Sequence, residues 1–252
     1  MRWTWWVGVA TALGMAAAAP SRAVAQEARR EFVSDAFDVP VGWDFGFSGL
    51  GAQPVGEFDD YVDLGGGFGM FVTKYLGERR SWGIRLDGVL VVYGSTTVRR
   101  PLGPTVPFVE VDVTTENAIA SFAVGPHFMP AEGRIRPYVN ASIGAAQFVT
   151  TTSVWGSGSI QPFASTENFE DYALQLTGGG GMRITLAERR RFPISLDVGM
   201  RYLRHGTTEY LREGGITELP DGSVQIDPIR SDSNLITCHV GVAIGVHPGT
   251  GG

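Results

Sequence analysis

Four histidines are the residues of this chain best suited to acid–base or metal chemistry: His127, His205, His239 and His247. None pairs at zinc-ligand spacing, and the single cysteine, Cys238, lies far from His127 and His205. Cys238 and His239 are adjacent, but on a strand, neighbours point to opposite faces, which argues against a Cys–His nucleophile pair. A lipid-deacylating barrel would use a His-x-Ser pair. Here the triplets are His127-Phe128-Met129, His205-Gly206-Thr207 and His239-Val240-Gly241, none with serine. Asp197 and His239 are left as one conceivable acid–base pair inside a barrel. The glycine runs 65–67 and 178–181 lack the spacing of a phosphate-binding loop followed by a helix, and read as sites of close backbone approach. No catalytic residue, metal site or cofactor is expected, and no enzymatic activity.

The elements that must carry these residues are strands. Phe192 to Leu203 sets Phe192, Ile194, Leu196, Val198, Met200 and Tyr202 on one face, against Ser195, Asp197, Gly199 and Arg201. This is period 2. The same alternation runs through Trp82–Tyr93, Tyr172–Leu186 and Ile236–Val246, and more weakly through 42–51, 63–75, 117–128 and 136–149. Short connections near 76–81, 129–134 and 187–191 carry arginine: Arg79 and Arg80, Arg134, and Arg189 to Arg191. Long ones near 52–62, 95–116, 150–170 and 204–233 are acidic. Eight strands with alternating short and long connections predict an all-β, eight-stranded, antiparallel up-and-down barrel with four long loops and three short turns.

Alternation alone leaves the inner face open. A soluble lipocalin-like barrel turns its apolar face inward and a membrane barrel turns it outward. The polar faces here are rich in Gly, Ser and Thr, which suits a narrow lumen. Their charges, Arg85, Asp87, Arg183, Asp197 and Arg201, can pair across it, and His239 joins them as a packed polar residue. Trp43, Trp82, Tyr172, Phe192 and Tyr202 stand near strand ends on the apolar face, where interfacial aromatics belong. Lys74 is the only lysine, unlike the Lys/Glu coat of a soluble surface. The membrane orientation is therefore expected.

The chain resembles the small outer-membrane β-barrels of the OmpA/OmpX/opacity-porin superfamily over about 42–246. The likeness rests on strand count, loop rhythm, Pro54-Val55-Gly56-Glu57-Phe58 after the first strand, and Arg136-Pro137-Tyr138-Val139 leading to Gly144. It implies residence in outer-membrane lipid, insertion by the barrel-assembly machinery and a monomer. Such barrels usually end on an aromatic residue that this machinery reads. This chain continues past Val246 into a tail, 247–252, so the insertion signal is expected to be atypical or absent.

Residues 1–25 read as a signal peptide: Arg2, an apolar run to Ala19, and the cleavage site Ala23-Val24-Ala25. An uncleaved anchor helix is the competing reading. Residues 26–41 are expected as a periplasmic N-terminal segment. Removing Arg2 and Arg22 takes the formal charge from −6 to −8, and no basic stripe invites nucleic acid. The acidic long loops could take divalent cations, whose hard character suits carboxylate oxygens. The expected function is a non-enzymatic structural or surface-interaction role through those loops, with a narrow pore as the alternative.

Overall fold

The computed structural model describes residues 42–246 apart from 77–80, 102–109, 131–132, 157–159, 188–191 and 219–223. The expected signal peptide, N-terminal segment and tail, and arginines 79, 80 and 189–191, lie outside the described residues. The described residues form twelve strands: β1 (Trp43–Val55), β2 (Gly65–Leu76), β3 (Trp82–Pro101), β4 (Glu110–Phe128), β5 (Ile135–Gly156), β6 (Ala164–Ala187), β7 (Ile194–His205), β8 (Thr207–Tyr210), β9 (Ile216–Glu218), β10 (Val224–Ile226), β11 (Ile229–Asp232) and β12 (Asn234–Val246). Eight of them close a barrel in the order β1-β12-β7-β6-β5-β4-β3-β2, every pair antiparallel. The seam joins β1 to β12, with Trp43 opposite Val246.

The barrel wall is inside-out relative to a soluble barrel. Leu86, Leu90, Phe122, Ile143, Leu174 and Val242 point outward and are 46–67% exposed. Arg85, Asp87, Ser121, Ser142, Gln175 and Ala243 point inward and are buried. Lipid is the medium that tolerates such a wall, and closure leaves no unpaired edge within it. The expected inner and outer faces of β3, β6, β7 and β12 are those observed.

The loops differ from expectation. Residues 95–101, 110–116, 150–156 and 164–170 are strand, so the second and third long connections shrink to 102–109 and 157–163. The four strands β3 to β6 continue beyond the apolar band as one sheet. Polar β-branched residues on both faces hid this from a period-2 reading, and cross-strand hydroxyls hold it. Thr97 meets Thr114 at 2.9 Å, Thr115 meets Thr152 at 2.9 Å, and Ser153 meets Ser165 at 3.2 Å. The fourth connection carries two short hairpins: β8 with β11, and β9 with β10 on either side of 219–223. The first holds a 3-10 turn, Gly56–Asp60.

The glycine run on β6 answers to close approach. A Cβ at Gly181 would stand 2.4 Å from the Val198 carbonyl and 2.7 Å from the Tyr138 hydroxyl.

Candidate functional site: a doubly closed lumen

All eight barrel strands send a side chain into one polar layer toward the short-turn end of the lumen. Asp44 comes from β1, Tyr75 from β2, Arg85 and Asp87 from β3, and His127 from β4. Tyr138 comes from β5, Arg183 from β6, Asp197 and Arg201 from β7, and His239 from β12. Period 2 delivers each of them, because its strand neighbours face outward, and these are apolar apart from Lys74 beside Tyr75 and Gly88 beside Asp87.

The charges interlock. Arg85 Nε and Arg201 Nη1 both donate to Asp87 Oδ1, each at 2.8 Å. Arg183 is bonded to Asp44, and its other terminal nitrogen stands 4.0 Å from Asp197. The Tyr75 hydroxyl donates to Asp44 at 2.8 Å. His239 Nε2 lies 3.0 Å from the Tyr138 hydroxyl and 4.0 Å from Asp197. Phe71 forms a floor within the layer, with the Arg85 guanidinium 3.7 Å over its ring and that of Arg183 at 5.3 Å. All six residues singled out from the sequence are buried here.

Sequence reasoning missed Asp44, Tyr75 and Tyr138. Asp44 was legible, since it alternates with Trp43 and Phe45. The two tyrosines were not, because an aromatic ring on an alternating strand reads as outward-facing. His127 is fully buried between the rings of Tyr138 and Tyr75, at 5.2 and 6.0 Å.

Above this layer the lumen is closed a second time, by apolar side chains. The 3-10 turn after β1 drops Phe58 into the long-connection end of the barrel, where it is wholly buried. Its ring meets Tyr210 at 4.9 Å, Tyr93 at 5.6 Å and Phe148 at 6.5 Å, all edge-on. Ile119, Leu203 and Leu235 pack beneath. His205 borders this plug, with Nε2 3.1 Å from Gln175 Oε1 and Nδ1 against the Ser233 carbonyl oxygen. The fourth connection is drawn over the plug: the Tyr93 hydroxyl donates to the Leu211 carbonyl at 3.3 Å, and Thr96 donates to Glu213 at 2.8 Å.

Between plug and polar layer a small cavity remains. About 10 Å3 of it is open to the centre of a water-sized guest. That space is far too small for a substrate of the Asp197–His239 pair.

On the outer wall, Trp43, Trp82 and Phe192 stand at the short-turn end and Tyr172 and Tyr202 at the long-connection end, 41–64% exposed. Trp82 packs on Phe128 at 4.7 Å, and Lys74 lies 4.9 Å over the Trp43 ring. Among the described residues no group of three His, Cys, Asp or Glu side chains gathers into a metal site.

No family model matches the chain, and no curated protein does. Solved structures do. Ail, the attachment invasion locus protein of Yersinia pestis, is 16% identical, covering 81% of this chain and 99% of Ail, with a TM-score of 0.39. The outer membrane protein OprG of Pseudomonas aeruginosa is 13% identical over 83% of this chain and 98% of its own, with a TM-score of 0.41. Neisserial surface protein A is 13% identical over 82% and 97%, with a TM-score of 0.36. The likeness is one of fold. It transfers no activity.

Proposed function

We propose that the protein is a non-enzymatic outer-membrane barrel whose interior is structural and whose function lies at its long-connection end. The double closure of the lumen carries this reading. A solute entering from the long-connection end meets Phe58 and its aromatic neighbours, and one entering from the other end meets six interlocked charges. An eight-stranded barrel is narrow enough for side chains to fill it, so neither layer leaves a continuous wet path. The chemistry still facing outward is on the sheet that β3 to β6 extend beyond the apolar band and on the acidic fourth connection.

Planar-bilayer recording of the purified protein tests this directly. The expected result is a silent membrane; steady channels would establish the pore reading instead. Outer-membrane location, export by a signal peptide and a monomeric state belong to the same proposal. Fractionation and heat-modifiable migration in unboiled gels check the location, and periplasmic recovery would end it. Divalent cations at the acidic connections would raise thermal stability in calcium over chelator; no shift removes them.

A further inference from the structure

We propose that the sheet extended by β3 to β6 beyond the apolar band pairs edge to edge with the same sheet of a second copy. The β3 edge of one barrel meets the β6 edge of the next, so that copies join in rows along the membrane. This rests on residence in the outer membrane. Each copy keeps its own closed wall, so it is a monomer in dilute detergent and associates by mass action where a membrane concentrates it.

Two backbone edges are left open. β2 accompanies β3 only as far as Val92, which pairs with Gly66. β7 leaves β6 at Gln175, paired with His205, and β8 reaches it once more at Asp171, through Thr208 and the Glu209 amide. Beyond those points, among the described residues, no strand lies beside β3 over 94–101 or beside β6 over 164–170. The two stretches are similar in length. Ser95, Thr97 and Arg99 on one, and residues 164–167 on the other, are exposed. An open row of N–H and C=O groups is a template for another strand, and lysine, a usual guard of such an edge, is absent from both.

Charge selects which edges meet. β3 carries Arg99 and Arg100 near its tip and no carboxylate over 94–101. β6 carries Glu167 and Glu170 and no cation over 164–170. Two β3 edges would set arginine against arginine, and two β6 edges glutamate against glutamate; only unlike edges attract. Ser95, Glu116, Thr151 and Glu167 form one row across the sheet, and Arg99 is an even number of residues from Ser95. Arg99 and Glu167 therefore share a face. Arg99 is steadied by Asp112 at 2.9 Å, with guanidinium donors to spare. Glu167 stands against Glu170, whose hydrogen bond and charge hold its carboxyl above the ordinary value. An arginine from the next copy relieves that repulsion.

The membrane selects the direction. All copies stand the same way up. β3 runs toward the long-connection end and β6 runs back from it, so β3 against β6 is antiparallel, like every pair in the wall. Two β3 edges of upright copies would run parallel, the less stable pairing. A β3–β6 contact is heterologous and repeats from copy to copy.

The test uses the full chain in its own membranes, with Cys238→Ser and cysteines placed on the two edges, as Val98→Cys/Asn168→Cys or Thr97→Cys/Asn168→Cys. Within one copy three strand spacings, roughly 14 Å, separate β3 from β6, beyond the reach of a disulfide. Any bond therefore joins two copies. Oxidation should give a ladder of dimers, trimers and larger species from a double-cysteine protein, and no cross-link from either cysteine alone. Arg99→Glu/Arg100→Glu should abolish the ladder, and adding Glu167→Arg/Glu170→Arg should restore it; heat-modifiable migration shows that each variant is folded. The absence of a ladder from both double-cysteine proteins overturns the proposal. So do dimers from a single cysteine, which mean a like-with-like contact, a ladder that survives the arginine reversal, and cross-links to another protein in place of the ladder. None of these outcomes depends on whether the barrel conducts.

Discussion

Phe58 and Tyr210 meet edge to face, their ring centres 4.9 Å apart and their planes at 86°. One comes from a five-residue 3-10 turn and the other from a four-residue strand. Neither element could hold its place alone. Each is fixed by delivering an aromatic side chain to the barrel mouth, where burial of a ring is worth several kcal/mol. Phe58→Ala is expected to cost about 3–5 kcal/mol, less if the mouth collapses. Limited proteolysis should then cut the first and fourth connections before the barrel unfolds. The polar layer is untouched, so bilayer recordings should stay silent.

Arg183 and Asp44 should behave as a buried pair. Removing one partner strands the other charge, so Arg183→Met alone should cost about 3–5 kcal/mol. Replacing both, as Asp44→Leu/Arg183→Met, should cost much less than the sum of the two single changes. Urea-induced unfolding from lipid vesicles gives the double-mutant cycle. Additive losses would mean that the two residues do not act as a pair.

Acid should release the fourth connection locally. Asp171, above the exposed ring of Tyr172 and outside the apolar band, accepts bonds from the Thr208 hydroxyl and the Glu209 amide, both at 2.7 Å, and from the Tyr172 amide at 2.8 Å. Partial burial alone would raise its pKa; these donors outweigh that and hold the carboxyl below its ordinary value. A depressed carboxylate pKa stabilises the fold above the unfolded value, and that stability is lost as pH falls through the folded value. Amide exchange at β8 should therefore speed up below about pH 4, while amides of the barrel wall stay protected. In Asp171→Asn the pH dependence should disappear.

Gly199 is expected to resist enlargement. A methyl there would come within 2.7 Å of the His239 ring, 2.8 Å of the Tyr138 hydroxyl and 2.7 Å of the Gly180 carbonyl. Gly199→Ala should cost about 1–3 kcal/mol as overpacking. Gly206→Ala, where a Cβ meets nothing within 4 Å, is the control. Thermal unfolding in detergent compares the two.

The barrel was legible because lipid enforces what the pleat allows. One apolar face per strand repeats every second residue, as in Phe192 to Tyr202, and aromatic residues mark its ends. The extensions of β3 to β6 were not legible. Thr96, Thr97, Thr114 and Thr115 are polar on both faces, so alternation vanishes although the strands persist. The plug was hidden for another reason. Phe58 sits among Glu57, Asp59 and Asp60, and a lone aromatic in an acidic loop gives no hint that the chain turns inward. The partnerships inside the lumen, Arg183 with Asp44 or Tyr138 with His239, depend on closure and register, which alternation does not encode.

The seam between β1 and β12 has a kinetic consequence. Every other wall contact joins strands adjacent along the chain or bridged by the fourth connection. Trp43 opposite Val246 joins the two ends of the barrel sequence. That pairing closes the largest loop and carries the greatest entropic cost, so it is slow to form. Until it forms, β1 and β12 are open edges able to pair with another chain. Asp44 belongs to β1 and His239 to β12, so the charged layer is incomplete in any half-zipped barrel. Assembly should therefore be all-or-none, with the last zipping step both sealing the edges and neutralising the interior.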